Sequence, residues 1–127
     1  MRKPNPVVAV AIGIFASTLA SLAMAGEESW PLAPFYFYCR SDAPMGSVFY
    51  YSTAQRSDAS VGRGELQNSF VDYMRKKYKY PHDASVSCVA AVGGDKQAVT
   101  ELNRQQTIDN LHAANYEVVA TDWKHAQ

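Results

Sequence analysis

The sequence predicts an α+β fold: a two-layer sandwich of order β-β-α-β-α-β, with a four-stranded sheet, two helices on one of its faces and one disulfide. Three observations predict it. Short runs rich in aromatic and β-branched residues read as strands. Two longer segments repeat apolar residues at helical spacing. Glycine, proline and asparagine punctuate the joins between them. An alternation of this kind suits helices packed on one sheet face.

The chain starts with a targeting segment. Arg2 and Lys3 precede an apolar run from Val7 to Ala23, and Ala23-Met24-Ala25 has the small-x-small form of a cleavage site. Residues 1–25 therefore read as a secretory signal peptide, too short for a membrane span and without a basic stop-transfer cluster behind it. Residues 26–34 (GEESWPLAP) read as an irregular lead-in, and residues 35–127 as one domain. Losing Arg2 and Lys3 from 12 basic residues leaves a net charge of about −2 against the 12 acidic ones. Such a balance gives no general electrostatic reason to bind nucleic acid. The expected localisation is periplasmic or extracellular.

Residues 35–40 (FYFYCR) form the first strand and residues 47–52 (SVFYYS) the second. The turn chemistry of Asp42, Pro44 and Gly46 joins them as an antiparallel hairpin. Residues 53–64 are polar and glycine-bearing, so they read as a loop. Leu66, Phe70, Tyr73, Met74 and Lys77 then share a helix face, ended by Pro81. Residues 84–92 (ASVSCVAAV) form the third strand. Gly93-Gly94 breaks it, and Asp95 caps a second helix reaching Ala114. Its expected apolar stripe is Ala98, Leu102, Ile108 and Leu111. Asn115 suits a left-handed stop before the last strand, residues 116–123.

Cys39 and Cys88 are the only cysteines, and in an exported chain they are expected to pair. Closing a loop of about 50 residues corresponds to roughly 4 kcal/mol by chain-entropy reasoning. The pair lacks the Cys-x-x-Cys spacing of redox-active sites. Bridged cysteines need close Cα atoms, so the first and third strands are expected to be neighbours.

Strand alternation places Phe35, Phe37 and Cys39 on one face and Tyr36, Tyr38 and Arg40 on the other. With both helices over the phenylalanines, the tyrosines would form an open, hydroxyl-edged platform. Tyr36, Tyr38, Arg40 and Tyr50 are the candidate binding residues on that reading. The competing readings are plain sheet decoration, cover by the lead-in through Trp30, and a homodimer interface.

Catalytic and cofactor motifs are absent. His82, His112 and His125 are scattered, no metal-ligand spacing occurs, and there is no Gly-x-Ser-x-Gly elbow. Gly93-Gly94-Asp95-Lys96 lacks the phosphate-loop pattern. The run Arg75-Lys76-Lys77-Tyr78-Lys79-Tyr80 reads as a solvated helix end, or as a patch for an acidic partner, an anionic wall polymer or lipid head groups.

The segments YCRSD, VFYYS, FVDYMRKKY, SCVAAV and YEVVATDW resemble small exported bacterial domains of unassigned function. The resemblance implies no activity and carries no functional residue. The leading expectation is a non-catalytic exported domain that binds a protein or cell-envelope component, with no cofactor. The alternatives are a small hydrolase using His82 and Asp83, and a purely structural homodimer.

Overall fold

The computed structural model describes residues 30–91 and 96–125. The expected signal peptide (residues 1–25), residues 26–29 of the lead-in, and Gly93, Gly94 and Asp95 lie outside the described residues. The elements are β1 (Phe35–Ser41), β2 (Val48–Tyr51), β3 (Gln55–Ser57), α1 (Arg63–Tyr78), β4 (Val86–Ala90), α2 (Lys96–Ala113) and β5 (Glu117–Ala120). Among the described residues the fold is α+β, with a mixed sheet and two helices.

β3 is an addition, in a stretch the sequence presents as loop. Its pairing explains why. Arg40 stands opposite Tyr51, while Phe37 stands opposite Gln55, so the register slips by one residue between them. Ser52, Thr53 and Ala54 oppose only Tyr38 and Cys39, which makes residues 48–57 one bulged strand. Serine hydroxyls repair the ladder there. Ser52 donates its N–H to the Cys39 carbonyl at 2.8 Å. Its hydroxyl accepts the Cys39 N–H at 2.9 Å and donates to the Thr53 carbonyl. The Ser41 hydroxyl accepts the Tyr50 N–H at 2.9 Å. Five backbone groups at this break are thereby paired.

β1 is central. β4 pairs with one of its edges and β2/β3 with the other, all antiparallel, and β5 adds to β2 in parallel. Cys39 lies directly opposite Cys88, and the two are bridged. The expected neighbourhood of the first and third predicted strands is thus present.

The two helices do not share a face, which corrects the expected two-layer arrangement. Leu66, Phe70 and Met74 of α1 cluster with Phe35, Phe37 and Cys39. Ile108 of α2 clusters with Tyr38, Phe49 and Tyr51. Phe37 and Tyr38 are successive strand residues and point to opposite faces. Topology supplies the reason. β2/β3, β4 and β5 run in one direction, because β2, β3 and β4 each oppose β1 and β5 follows β2. α1 carries the chain across β1 to β4, and α2 carries it back across β1 and β2 to β5. Crossovers between parallel strands are right-handed almost without exception. Two crossovers of one hand and opposite direction must cover opposite faces.

α1 follows its expected stripe and ends on Lys79, whose φ of 58° is left-handed. The C-terminal segment locks it. The Trp123 ring meets Phe37 and Phe70 edge-on at 6.2 and 5.1 Å. The Gln55 side chain donates to the Trp123 carbonyl and accepts from the His125 N–H, holding that segment as a strand partner would. α2 departs from expectation. Leu102 is 60% exposed, and Thr100 and Ile108 are the residues it buries.

Candidate functional site

α2 covers Tyr38, the centre of the expected tyrosine platform. Tyr38 is 1% exposed, stacks on Tyr51 at 5.9 Å, and donates its hydroxyl to Asn103 Oδ1 of α2 at 2.6 Å. Burial pushes its phenol above the ordinary value, and the Thr107 hydroxyl pulls partly the other way. Tyr50 faces the α1 side, where its ring meets Tyr78 at 4.5 Å. Tyr36 is half-buried and pairs across the strands with Arg56. Arg40 is half-buried with a guanidinium nitrogen 3.9 Å from Asp42. Tyr36, Tyr38 and Arg40 do share a face, but Tyr50 does not join them, and α2 lies over Tyr38. Trp30 is not the cover. It packs edge-on against Phe35 at 5.6 Å, donates to the Val61 carbonyl, and lies under the Arg63 guanidinium.

A concave polar surface lies instead along β4. Its lining is Asp42, Arg63, Gln67, Ser85, Val86, Ser87 and Cys88. The register set by the disulfide builds it. Cys39 sends both its N–H and its carbonyl to Ser52, away from β4. Cys39 and Cys88 therefore form a pair without ladder bonds, and the Cys88 N–H and carbonyl point outward from the sheet. By alternation those of Val86 do too. Gln67 of α1 meets this edge: its Oε1 accepts the Cys88 N–H at 3.0 Å.

Asp42 closes one side. Its backbone N–H donates to the Ser85 carbonyl at 3.0 Å. The Ser85 hydroxyl donates to Oδ2 at 2.7 Å and the Ser87 hydroxyl to Oδ1 at 2.6 Å. Tyr80, buried below, donates to the same Ser85 carbonyl, and burial raises its phenol pKa, with Asp42 adding to the rise. The cleft thus combines outward strand backbone with a carboxylate on one wall and a guanidinium and an amide on the other. That chemistry suits a ligand that both donates and accepts hydrogen bonds.

The other candidates do not assemble. His82 and Asp83 are exposed in the loop before β4; the His82 carbonyl accepts from Arg75, and its imidazole bonds no described residue. His112 is exposed late in α2. Among the described residues no group of His, Cys, Asp or Glu could hold a metal ion, and no helix is long and apolar enough to cross a membrane. In the basic run, Lys77 pairs with Asp122 at 3.6 Å and lies about 6 Å from the Tyr73 and Tyr78 ring centres.

No protein family, curated protein or solved structure matches the chain.

Sequence reasoning missed Asp42, Ser85, Ser87 and Gln67. A signal for three of them was present. Once Cys39 is set opposite Cys88 in antiparallel strands, counting outward brings Arg40 to Ser87 and Asp42 to Ser85. Gln67 had no such signal, because its place depends on how α1 docks.

Proposed function

We propose that this chain is an exported, non-catalytic binding domain, and that it holds an extended peptide segment of a partner protein along the outer edge of β4, in the cleft beside α1. The observation that carries the reading is the bond from the Cys88 N–H to Gln67 Oε1. A side-chain amide there accepts the hydrogen bond that an added strand would accept. Strand addition to an exposed edge takes its affinity from main-chain bonds and its selectivity from flanking side chains. Cys39–Cys88 fits export, since disulfides persist in oxidising compartments. The hydrolase reading gains no support from geometry, because the His82 imidazole makes no hydrogen bond to a nucleophile among the described residues. An envelope partner, in the periplasm or outside the cell, belongs to the proposal.

Selection from a random peptide library against the oxidised chain tests it. The reading predicts binders that Val86→Pro rejects, because proline removes an outward N–H and crowds the edge. Gln67→Arg, which leaves the main chain intact, should reject them as well. Binders indifferent to both substitutions, or no binders at all, would contradict the reading.

A further inference from the structure

Resting on that reading, we infer that Asp42 selects peptides bearing a positive charge, so that the preferred ligands carry lysine or arginine beside the β4 edge. Four observations support the assignment. Asp42 lines the cleft. Its two closest donors are the hydroxyls of Ser85 and Ser87. Hydroxyls orient a carboxylate without cancelling its charge, and each oxygen retains a further acceptor site. Arg40 stands 3.9 Å away, at the outer limit of an ion pair, and both side chains are about one-third exposed. A ligand ammonium or guanidinium can approach more closely than Arg40 does, with charge-assisted geometry.

The opposite wall adds polarity. Arg63 and Gln67 rise from the first turns of α1 across the Val86–Cys88 backbone from Asp42. A peptide lying between these walls meets negative charge on one side and positive on the other. Its backbone satisfies the strand edge, and one basic side chain reaches Asp42. Neither wall supplies an apolar pocket, so charge rather than shape separates one peptide from another.

The test uses library-selected peptides that bind the oxidised full chain but not its Val86→Pro or Gln67→Arg variants. Each is synthesised with its basic residue and with glutamine in its place. Titration at low salt should show about two- to fivefold weaker binding of the glutamine form, the range of a partly exposed ion pair. That difference should shrink at high salt and vanish on Asp42→Asn. Equal binding of the two forms would overturn the charge assignment while leaving strand addition in place. Failure to find any peptide that needs the β4 edge would overturn both. The peptide-side substitution keeps the test valid even if Asp42→Asn proves unstable.

Discussion

The two faces of the sheet are held by different physics. On the α1 face, Leu66, Phe70 and Met74 meet Phe35, Phe37, Tyr80, Trp123 and the disulfide, nearly all of it apolar. On the α2 face, Ile108 and half-buried Leu111 share the contact with polar groups. Tyr38 donates to Asn103, and Arg104 Nε donates to the Ser52 carbonyl at 2.7 Å. The inward positions of α2 are Thr100, Asn103, Arg104, Thr107, Ile108 and Leu111, which keep helical spacing with few apolar members. One face is stabilised by removing hydrocarbon from water. The other adds to the burial of Tyr38, Phe49, Tyr51 and Ile108 a set of hydrogen bonds whose net worth is small but whose loss is costly.

The comparison predicts unequal responses to substitution. Phe70→Ala should have the largest effect, about 3–5 kcal/mol, because it empties a fully buried site between Trp123 and the sheet. Urea denaturation measures it, and a loss below about 1 kcal/mol would mean that α1 does not anchor the core. Next comes the disulfide, which belongs to the same face. Replacing both Cys39 and Cys88 by alanine should cost about 2–5 kcal/mol. A smaller change would mean that the β1–β4 pairing survives on its own contacts.

Tyr38→Phe should have the smallest effect, about 0.5–1.5 kcal/mol at neutral pH, from loss of the bond to Asn103. Its pH dependence sharpens the comparison. Burial raises the folded phenol above its ordinary value near 10.0. Below that value both states keep the proton and stability is full. Above it the unfolded state releases the proton first, so stability falls as pH rises through and beyond about 10. Tyr38→Phe should reduce that slope, leaving the part due to Tyr78 and Tyr80, whose phenols burial also raises. An unchanged slope would place the Tyr38 hydroxyl in water.

The same contrast explains what the sequence made legible. α1 was readable because its inward residues are apolar at the right spacing. The Cys39–Cys88 bridge was readable because two cysteines, in a chain whose first residues read as an export signal, have one pairing. α2 was readable as a helix but not in its orientation. The stripe of Ala98, Leu102, Ile108 and Leu111 mixes residues from two sides, since the buried side is polar and gives no hydropathy signal. An open tyrosine face followed from placing both helices on one side. Crossover direction decides that placement, and it requires the strand order. β3 was hidden because a bulge with serine and threonine looks like a loop. The β4 cleft was legible only in part: its backbone edge has no residue signature, Asp42, Ser85 and Ser87 follow from setting Cys39 opposite Cys88, and Gln67 depends on how α1 docks.

The most direct measurement is amide chemical-shift mapping of the isotope-labelled, oxidised chain with a library-selected peptide. The account predicts the largest shifts at Val86, Ser87 and Cys88 and at the Gln67 side-chain amide, with Tyr38, Tyr51 and the α2 amides unmoved. Shifts centred on Tyr36, Tyr38, Arg40 and the length of α2 would contradict it, because the ligand would then have displaced the polar helix and occupied the tyrosine face.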